Sequence, residues 1–498
     1  MKKNKNYIIT IFILFSNLAF GQDYFNKVIP FSFGNPNVIE MVGFGNSFLI
    51  STIYTKDANV QSTIVQIDDQ NAINYHHYQD IALGPKSLNV INNEVYLYAK
   101  DRNISLDLQL IKLTLDWKRD FTVSMQSSGE RNILGPSTKM DNNLYNGFIY
   151  VEDDIKKFGI NKTSSDGQLK WTKNFESNIG YSYLWTILSS QDKNLFASYT
   201  LKYQDEFKGH GYLMKIDTLG EIIWKTLPLE RIDGGAAAIK IVELSNRNIA
   251  VTYRKDMWDV YEYWCCLHPR PPALILMDST GNIIKENIYK LKQYDEIYFS
   301  DLEAGKGEYF FGFGQFTLDV ADSQNDYYGF ITKFSNEGDT IWTKRYRHPD
   351  FDDSRISHYI NDIIELDNGD LVGTGLITPI GQQGEIWHFK VNSEGCFDEA
   401  NCENEIQLTD IYEVPNSNHE VNDLLVYPNP STDILYVKNI NPADILKIEI
   451  FNIEGQLVFA VNKKAKVLNI SKLIPGIYSI NIITRNGIYT QRIVKVRT

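Results

Sequence analysis

Thirteen consecutive positions, 258–270, gather Trp258, Tyr261, Tyr263, Trp264, Cys265, Cys266, His268 and Arg270. Flat rings beside a guanidinium suit stacking on a sugar or gripping a peptide, so Trp258, Tyr261, Trp264, His268 and Arg270 are the candidate ligand-binding residues. The plainer alternative stays open: aromatic rings usually bury area, and these could pack their loop onto the body. Other chemistry is thin. Asp319, Asp322 and Asp326, or Asp350, Asp352 and Asp353, offer oxygen ligands that calcium could use. Neither run has EF-hand spacing, and solvated acidic loops are the better reading. The eight histidines supply neither His-Glu-x-x-His nor a Cys/His zinc spacing. Gly-x-Ser-x-Gly, Walker and dinucleotide signatures are missing too. No catalytic residue, metal ligand or cofactor is therefore assigned. Paired carboxylates for glycoside hydrolysis depend on a separation in space that a sequence does not display.

The elements that must carry these residues come from a repeat. Gly211-Tyr212-Leu213-Met214-Lys215-Ile216-Asp217-Thr218-Leu219-Gly220-Glu221-Ile222-Ile223-Trp224-Lys225 returns as Gly329-Phe330-Ile331-Thr332-Lys333-Phe334-Ser335-Asn336-Glu337-Gly338-Asp339-Thr340-Ile341-Trp342-Thr343-Lys344. Fainter copies run 159–173, 273–285 and 386–395. The weakest are 63–75, with Asn71 in place of glycine, and 110–121, with a shortened turn. Turn glycines 167, 220, 281, 338 and 395 lie 53, 61, 57 and 57 residues apart, and the 96 residues from Asn71 to Gly167 hold two units. The count is seven.

Each copy reads as a hairpin. Asp or Asn followed three residues later by Gly suits a type I turn ending in a left-handed residue, a conformation Asn also tolerates. Two further strands precede each hairpin, as at 297–302 and 309–314. Four short strands in about 50 residues is the signature of a propeller blade. The expected fold is all-β: a seven-bladed β-propeller over 23–402 and a small C-terminal β-sandwich. Trp171, Trp224 and Trp342 share one repeat phase and read as blade-to-blade core, with Trp117 grouped beside them. The seventh unit lacks its fourth strand, and Phe25 to Phe31 could fill that place, closing the ring and removing exposed edges. Hairpin turns should gather at one rim. The largest insertions (201–210, 255–272, 315–328, 227–236 and 347–357) should share the other, which is the expected binding face.

Composition narrows the partners. Thirty Tyr, 26 Phe and 8 Trp favour pleated surfaces, and the net charge is −13. Residues 22–423 carry −22 while 424–498 carry +6. An acidic body of that size repels phosphate backbones, so nucleic acid is not an expected partner. Cys396 and Cys402 close a short loop and suit a disulfide in a secreted chain. The neighbours Cys265 and Cys266 fit a vicinal disulfide or a reduced pair. Residues 403–423 are acidic, with Pro and Asn but no Lys or Arg, and read as a linker.

Both ends read as addresses. Lys2, Lys3 and Lys5 precede an apolar run from Tyr7 to Phe20, and Ala19-Phe20-Gly21 offers small residues to a signal peptidase. Residues 1–21 therefore fit a cleaved signal peptide, the run being too short for a bilayer core of about 30 Å. At the other end stand Pro428-Asn429-Pro430, Gly455, Gly476-Ile477-Tyr478, Lys495 and Arg497. In that order and spacing, 424–498 resembles the type A C-terminal sorting domain of the type IX secretion system. The resemblance implies recognition by that export machinery and delivery outside a Gram-negative bacterium, as a secreted or outer-membrane-surface protein with no membrane span after signal cleavage. The body's hairpin consensus is similar to the repeats of bacterial extracellular propellers of quinoprotein-like and Kelch/WD-like kind. That likeness speaks for architecture and is nearly silent on activity. The expected function is a non-catalytic binding or adhesion module for a glycan or extracellular protein. The alternative is a polysaccharide-active propeller enzyme, a hydrolase or lyase.

Overall fold

The computed structural model describes residues 24–497 apart from a set of connecting segments, the longest being 255–271, 403–410 and 414–424. Seven antiparallel sheets follow one another along the body. The first blade holds Asn35–Phe44, Ser47–Lys56, Asn59–Ile67 and Ile73–Tyr78, in that order from inside to outside. The innermost strands of the next six are Ile81–Ile91, Arg131–Met140, Gly180–Ser189, Lys240–Glu243, Glu296–Ala304 and Ser357–Glu365. Each touches the innermost strand before and after it, and the seventh touches the first. The ring is closed.

Chain ends make the seal. Phe25–Ile29 pairs antiparallel with Glu385–Val391, in register from Phe25 opposite Lys390 to Ile29 opposite Ile386. Trp387 Nε1 donates to Asn26 Oδ1 at 2.7 Å. The seventh sheet thus gains its outermost strand, and the edge of Glu385–Val391 is covered.

Burial follows position in the blade. Second and third strands are covered on both faces by neighbouring blades, so they read as continuous apolar runs. Pro272–Met277 is buried throughout, and Glu94–Asp101 has five buried residues in succession. Outermost strands face water on one side and alternate instead, as in Leu169–Phe175.

The repeat's turn is built by its first residue. Asp217 Oδ1 accepts from the backbone N–H of Leu219 (2.8 Å) and Glu221 (2.9 Å), and Gly220 N donates to Asp217 O at 3.0 Å. Asp278 does the same for Thr280 and Asn282. Ser335 substitutes its hydroxyl, accepting from Glu337 N and Asp339 N, so the motif is wider than Asp or Asn. Glycines 167, 220, 281, 338 and 395 all have φ between +75° and +90°, and Asn71 has +62°.

Two sequence readings are corrected. The turn in 110–121 is not shortened: Thr114 N donates to Lys118 O and Trp117 N to Thr114 O. Trp117 (φ +63°) occupies the glycine place and is not in phase with Trp171, Trp224 and Trp342. Four residues later Phe121 holds that phase and packs over Gly167, as Trp224 packs over Gly281 and Trp342 over Gly395. Trp117 is kept by a stack on His76, ring centroids 4.0 Å apart, which offsets the cost of its backbone. The segment 315–328 is mostly no loop either: Tyr309–Val320 and Gln324–Ser335 pair continuously from Tyr309 opposite Ser335 to Val320 opposite Gln324.

The C-terminal unit is two packed sheets. Leu425–Tyr427, Ile434–Lys438 and Val467–Asn469 form the smaller. Leu457–Asn462, Ile445–Asn452, Gly476–Thr484 and Gly487–Lys495 form the larger. Val426, Leu435, Val437, Ile448, Ile450, Leu468, Ile480, Ile482 and Ile493 fill the space between them. Between body and sandwich, Ile411–Glu413 pairs with the outer strand Ile283–Tyr289 of the fifth blade.

Candidate functional site on the propeller axis

The innermost strands repeat one irregularity. A register break falls between Val38 and Glu40, Leu134 and Ser137, Leu184 and Thr186, Phe299 and Asp301, and Ile360 and Asp362. A bulge re-aims the side chain that follows it, and three of these are acidic: Glu40, Asp301 and Asp362. In the second blade the break is larger, spanning Gly84 to Ser87 between Leu83 and Leu88. Gly84 lies so close to the third blade that a Cβ would sit 2.6 Å from Leu134 Cβ. Beyond it Lys86 takes φ +47°, a costly conformation for a residue with a Cβ.

That excursion carries the lysine across the axis. Lys86 Nζ lies 3.1 Å from Asp301 Oδ2 and 3.2 Å from Asp362 Oδ2, joining the second blade to the sixth and seventh. The carboxylates are anchored from behind. Asp362 accepts from Met41 N at 2.9 Å and Ile363 N at 3.0 Å, and Asp301 from Leu302 N at 2.9 Å. Glu40 Oε1 accepts from Leu88 N at 2.8 Å and from Ser51 Oγ at 3.3 Å. Through Met41 and Leu88, a backbone N–H of one blade thus bonds the carboxylate of the blade before it. Glu303, half-buried, completes the group and lines the cavity beside it.

A cavity of about 370 Å³ opens beside this cluster. Its wall includes Glu40, Lys86, Asn89, Ser137, Lys139, Glu303 and Asp362, with Met41, Leu88 and Ile363 as apolar sides. A second, of about 440 Å³, shares Val90 and Lys139 and runs on to Ser190 and Lys193. Both follow the inner strands toward the turns between first and second strands.

Burial and charge set the protonation. Burial, then the nearby Asp362, pushes Glu303 up to about 8. Burial raises Glu40 to about 7 despite the pull of Lys86. Asp362 is also raised by burial. Asp301 moves the other way: burial opposes ionisation, but Lys86 and Lys240 together outweigh it and hold the carboxyl below its usual range. Burial works against the Lys86 ammonium too, yet Asp362, Asp301, Glu40 and Glu303 keep its pKa well above normal. The lysine side chain retains 35% of its surface, facing the cavity it lines. Chemically, the arrangement offers one fixed ion triad and two carboxyls that carry protons near neutrality. It can brace the ring, hold a polar ligand by hydrogen bonds, or deliver a proton.

The residues singled out from sequence lie elsewhere. Trp258, Tyr261, Trp264, His268 and Arg270, with Cys265 and Cys266, fall outside the described residues, as do Asp322, Asp352 and Gly455. Asp326 is bonded to Arg347 at 3.0 Å. His77 Nδ1 meets Thr63 Oγ1 at 2.8 Å, and burial lowers the pKa of both His76 and His77. A disulfide joins Cys396 and Cys402, Cα atoms 5.3 Å apart. Among the described residues, no group of three or more His, Cys, Asp or Glu is placed to hold a metal ion.

The axial cluster was missed, though its signal was present. Glu40, Asp301 and Asp362 are acidic residues within apolar inner strands, and Gly84-Pro85 inside a strand marks a bulge.

The terminal motif residues prove structural as well as diagnostic. Asn429 Nδ2 donates to Arg492 O at 2.7 Å, and Val494 N donates to Asn429 Oδ1 at 2.8 Å, clamping the last strand. Pro428 and Pro430 flank that clamp. Lys495, buried, pairs with Asp433 at 2.9 Å, and Tyr478 Oη donates to Ile474 O at 2.6 Å. Gly476 opens the strand opposite Lys495, and Arg497 is exposed beyond it.

Residues 425–496 match the family model of the secretion system C-terminal sorting domain. The chain therefore carries a type IX secretion sorting domain behind a seven-bladed β-propeller. That tail marks it for export to the cell surface or beyond and implies interaction with the secretion machinery. No helix among the described residues is long and apolar enough to cross a membrane.

No curated protein matches the chain. Among solved structures it is similar to PorZ, a surface component of the type IX secretion system of Porphyromonas gingivalis. That pair has 8% identity and a TM-score of 0.28, covering 92% of this chain and 75% of that one. It is also similar to the β-propeller domain of the trilobed protease from Pyrococcus furiosus (10% identity, TM-score 0.40, covering 76% and 97%). A third is an α-L-arabinofuranosidase from Fusarium graminearum (12% identity, TM-score 0.40, covering 75% and 98%).

Proposed function

We propose that the propeller is a non-catalytic binding or adhesion module, displayed at or released from the cell surface, with a glycan or extracellular protein as ligand. One observation supports this most. Three of the four axial carboxylates, Glu40, Asp301 and Asp362, are bonded to backbone N–H groups or to Lys86. Chemistry at those groups would compete with the bonds that brace the ring. A rigid frame with long insertions on one rim suits recognition, and the aromatic segment 255–272 is the part of it best equipped to hold a ligand. The reading requires no cofactor. Its test is a glycan and peptide binding screen on the secreted protein, repeated with Tyr261→Ala and Trp264→Ala together. Binding should fall at least about tenfold, a loss of roughly 1.4 kcal/mol, with thermal stability unchanged. A collapse of stability would assign those rings to packing and remove the proposed site.

A second reading, a polysaccharide hydrolase or lyase, draws on Glu303. A carboxyl that keeps its proton up to about 8, beside ionised Asp301 in a cavity, has the character of a general acid. Polysaccharide turnover abolished by Glu303→Gln would favour this reading over the first.

A further inference from the structure

The two outward faces of the sorting sandwich are unlike. On the larger sheet, Ile448 and Ile450 point into the core, so Lys447 and Glu449 point out, bonded to each other at 2.5 Å. Ser479 and exposed Arg492 sit opposite one another on the same sheet. Exposed Ile477 (42%) and Val458 (38%) stand among these polar groups on the wet side. The smaller sheet differs in lining up its apolar groups. Val426, Leu435, Val437 and Leu468 fill the core, which turns Tyr427, Ile434, Tyr436, Lys438 and Val467 outward. Tyr427, Tyr436 and Val467 form one row straight across the three strands. The two tyrosine rings stack at 5.5 Å, and Lys438 Nζ stands 4.4 Å above the Tyr427 ring. Val467 is 57% exposed, Ile434 41% and Tyr436 39%. Asp433, next to Ile434, has its carboxylate paired with Lys495 at 2.9 Å.

We propose that this face, built on Tyr427, Ile434, Tyr436 and Val467, is the surface by which the tail is read, and that its partner is a protein of the export machinery whose docking patch is apolar at the centre and acidic at the rim. The proposal rests on the sorting-domain reading of 425–496. Water-exposed tyrosines with aliphatic neighbours are the composition of an interface centre, and a preordered stack costs little entropy on docking. Charge selects the occupant. Residues 424–498 carry ten Lys or Arg against four Asp or Glu, so a second copy of the tail would meet like charge while an acidic partner would be drawn in. The propeller body is also acidic, but the exposures hold with that body present, so its described residues do not cover the face.

The test uses the full chain in a Gram-negative host with a type IX system, measuring the fraction delivered to the surface and medium against that left in the periplasm. Three changes are compared: Tyr436→Glu with Val467→Glu, the milder Tyr436→Ser with Val467→Thr, and Glu449→Lys on the opposite sheet. Deletion of 424–498 is the reference for lost sorting. Export should fall at least about tenfold for both paired changes, equivalent to about 1.4 kcal/mol of docking, and stay at the wild-type level for Glu449→Lys. Thermal unfolding of the purified full chain should change little with the Ser/Thr pair, since both side chains face water. If both pairs export normally while the deletion is retained, the face is wrong and the sorting domain stands. If the deletion itself exports normally, the sorting reading fails with it. A wild-type dimer dispersed by the Ser/Thr pair would make a second copy the occupant and overturn the proposal.

Discussion

The propeller and its tail solve opposite problems with the same kind of strand. The propeller turns its charge inward: Lys86 and the carboxylates of three other blades meet on the axis, where Glu40, Asp301 and Asp362 are bonded from behind. The tail turns apolar surface outward, presenting Tyr436 and Val467 on an otherwise basic sandwich. A ring of seven sheets has apolar surface to spare between blades, so polar groups can serve at its centre as a brace. A sandwich of about 70 residues has one thin core, and whatever faces out is what a partner meets. One region is built to persist, the other to be recognised.

The contrast can be broken most decisively at the tail. Deleting 424–498 should leave the protein in the periplasm, with fractionation of the host as the measurement, and leave the melting of the propeller little changed. A large loss of propeller stability would mean the two regions are not independent. Next in size is Lys86→Ala, which strips the counter-ion from Asp301 and Asp362. Removing one member of a buried pair costs about 3–5 kcal/mol. Because the lysine is partly open to the cavity, the expected loss in a urea titration at pH 8 is nearer about 2–3 kcal/mol. The loss should shrink toward pH 6 as neighbouring carboxyls take up protons. An unchanged midpoint would show that the brace is ornamental.

The smallest effect is the pH dependence of the folded ring. Glu40 and Glu303 keep protons up to about 7 and about 8 when folded, against 4.5 when free. The folded state binds the extra protons, so the stability they add is complete below 4.5 and is lost as pH rises through 7 and 8. Buried histidines act in the opposite sense at lower pH. His358 and His388 are held down to about 4 and about 3, chiefly by burial, and cost stability as pH falls below 6.5. The interval from pH 8.5 to 6.5 therefore isolates the carboxyls. Acidification across it should raise stability by at most about 1.4 kcal/mol per unit for each of the two carboxyls, and Glu303→Gln should flatten the slope. A slope of the opposite sign would place the protons elsewhere.

Much of this protein was legible in one dimension. A turn closed by Asp217 and Gly220, returning as Ser335 and Gly338, sets the strand count. Local hydrogen bonds and a left-handed residue decide such a turn without help from the rest of the chain. The tail's motif was equally plain, because Asn429 and Lys495 act through bonds within the tail itself. Trp117 misled because a turn can seat a tryptophan at the glycine place when another blade supplies His76 to stack on it.

The axis was beyond reach for a related reason. Lys86 and Asp362 are 276 residues apart, and no periodicity says which residues of seven separate blades converge. Local chemistry chose the strands, their turns and the export route. Only closure of the ring decided that four carboxyls and one ammonium would share a space small enough to shift their protons, because burial and mutual charge exist only once the blades have met.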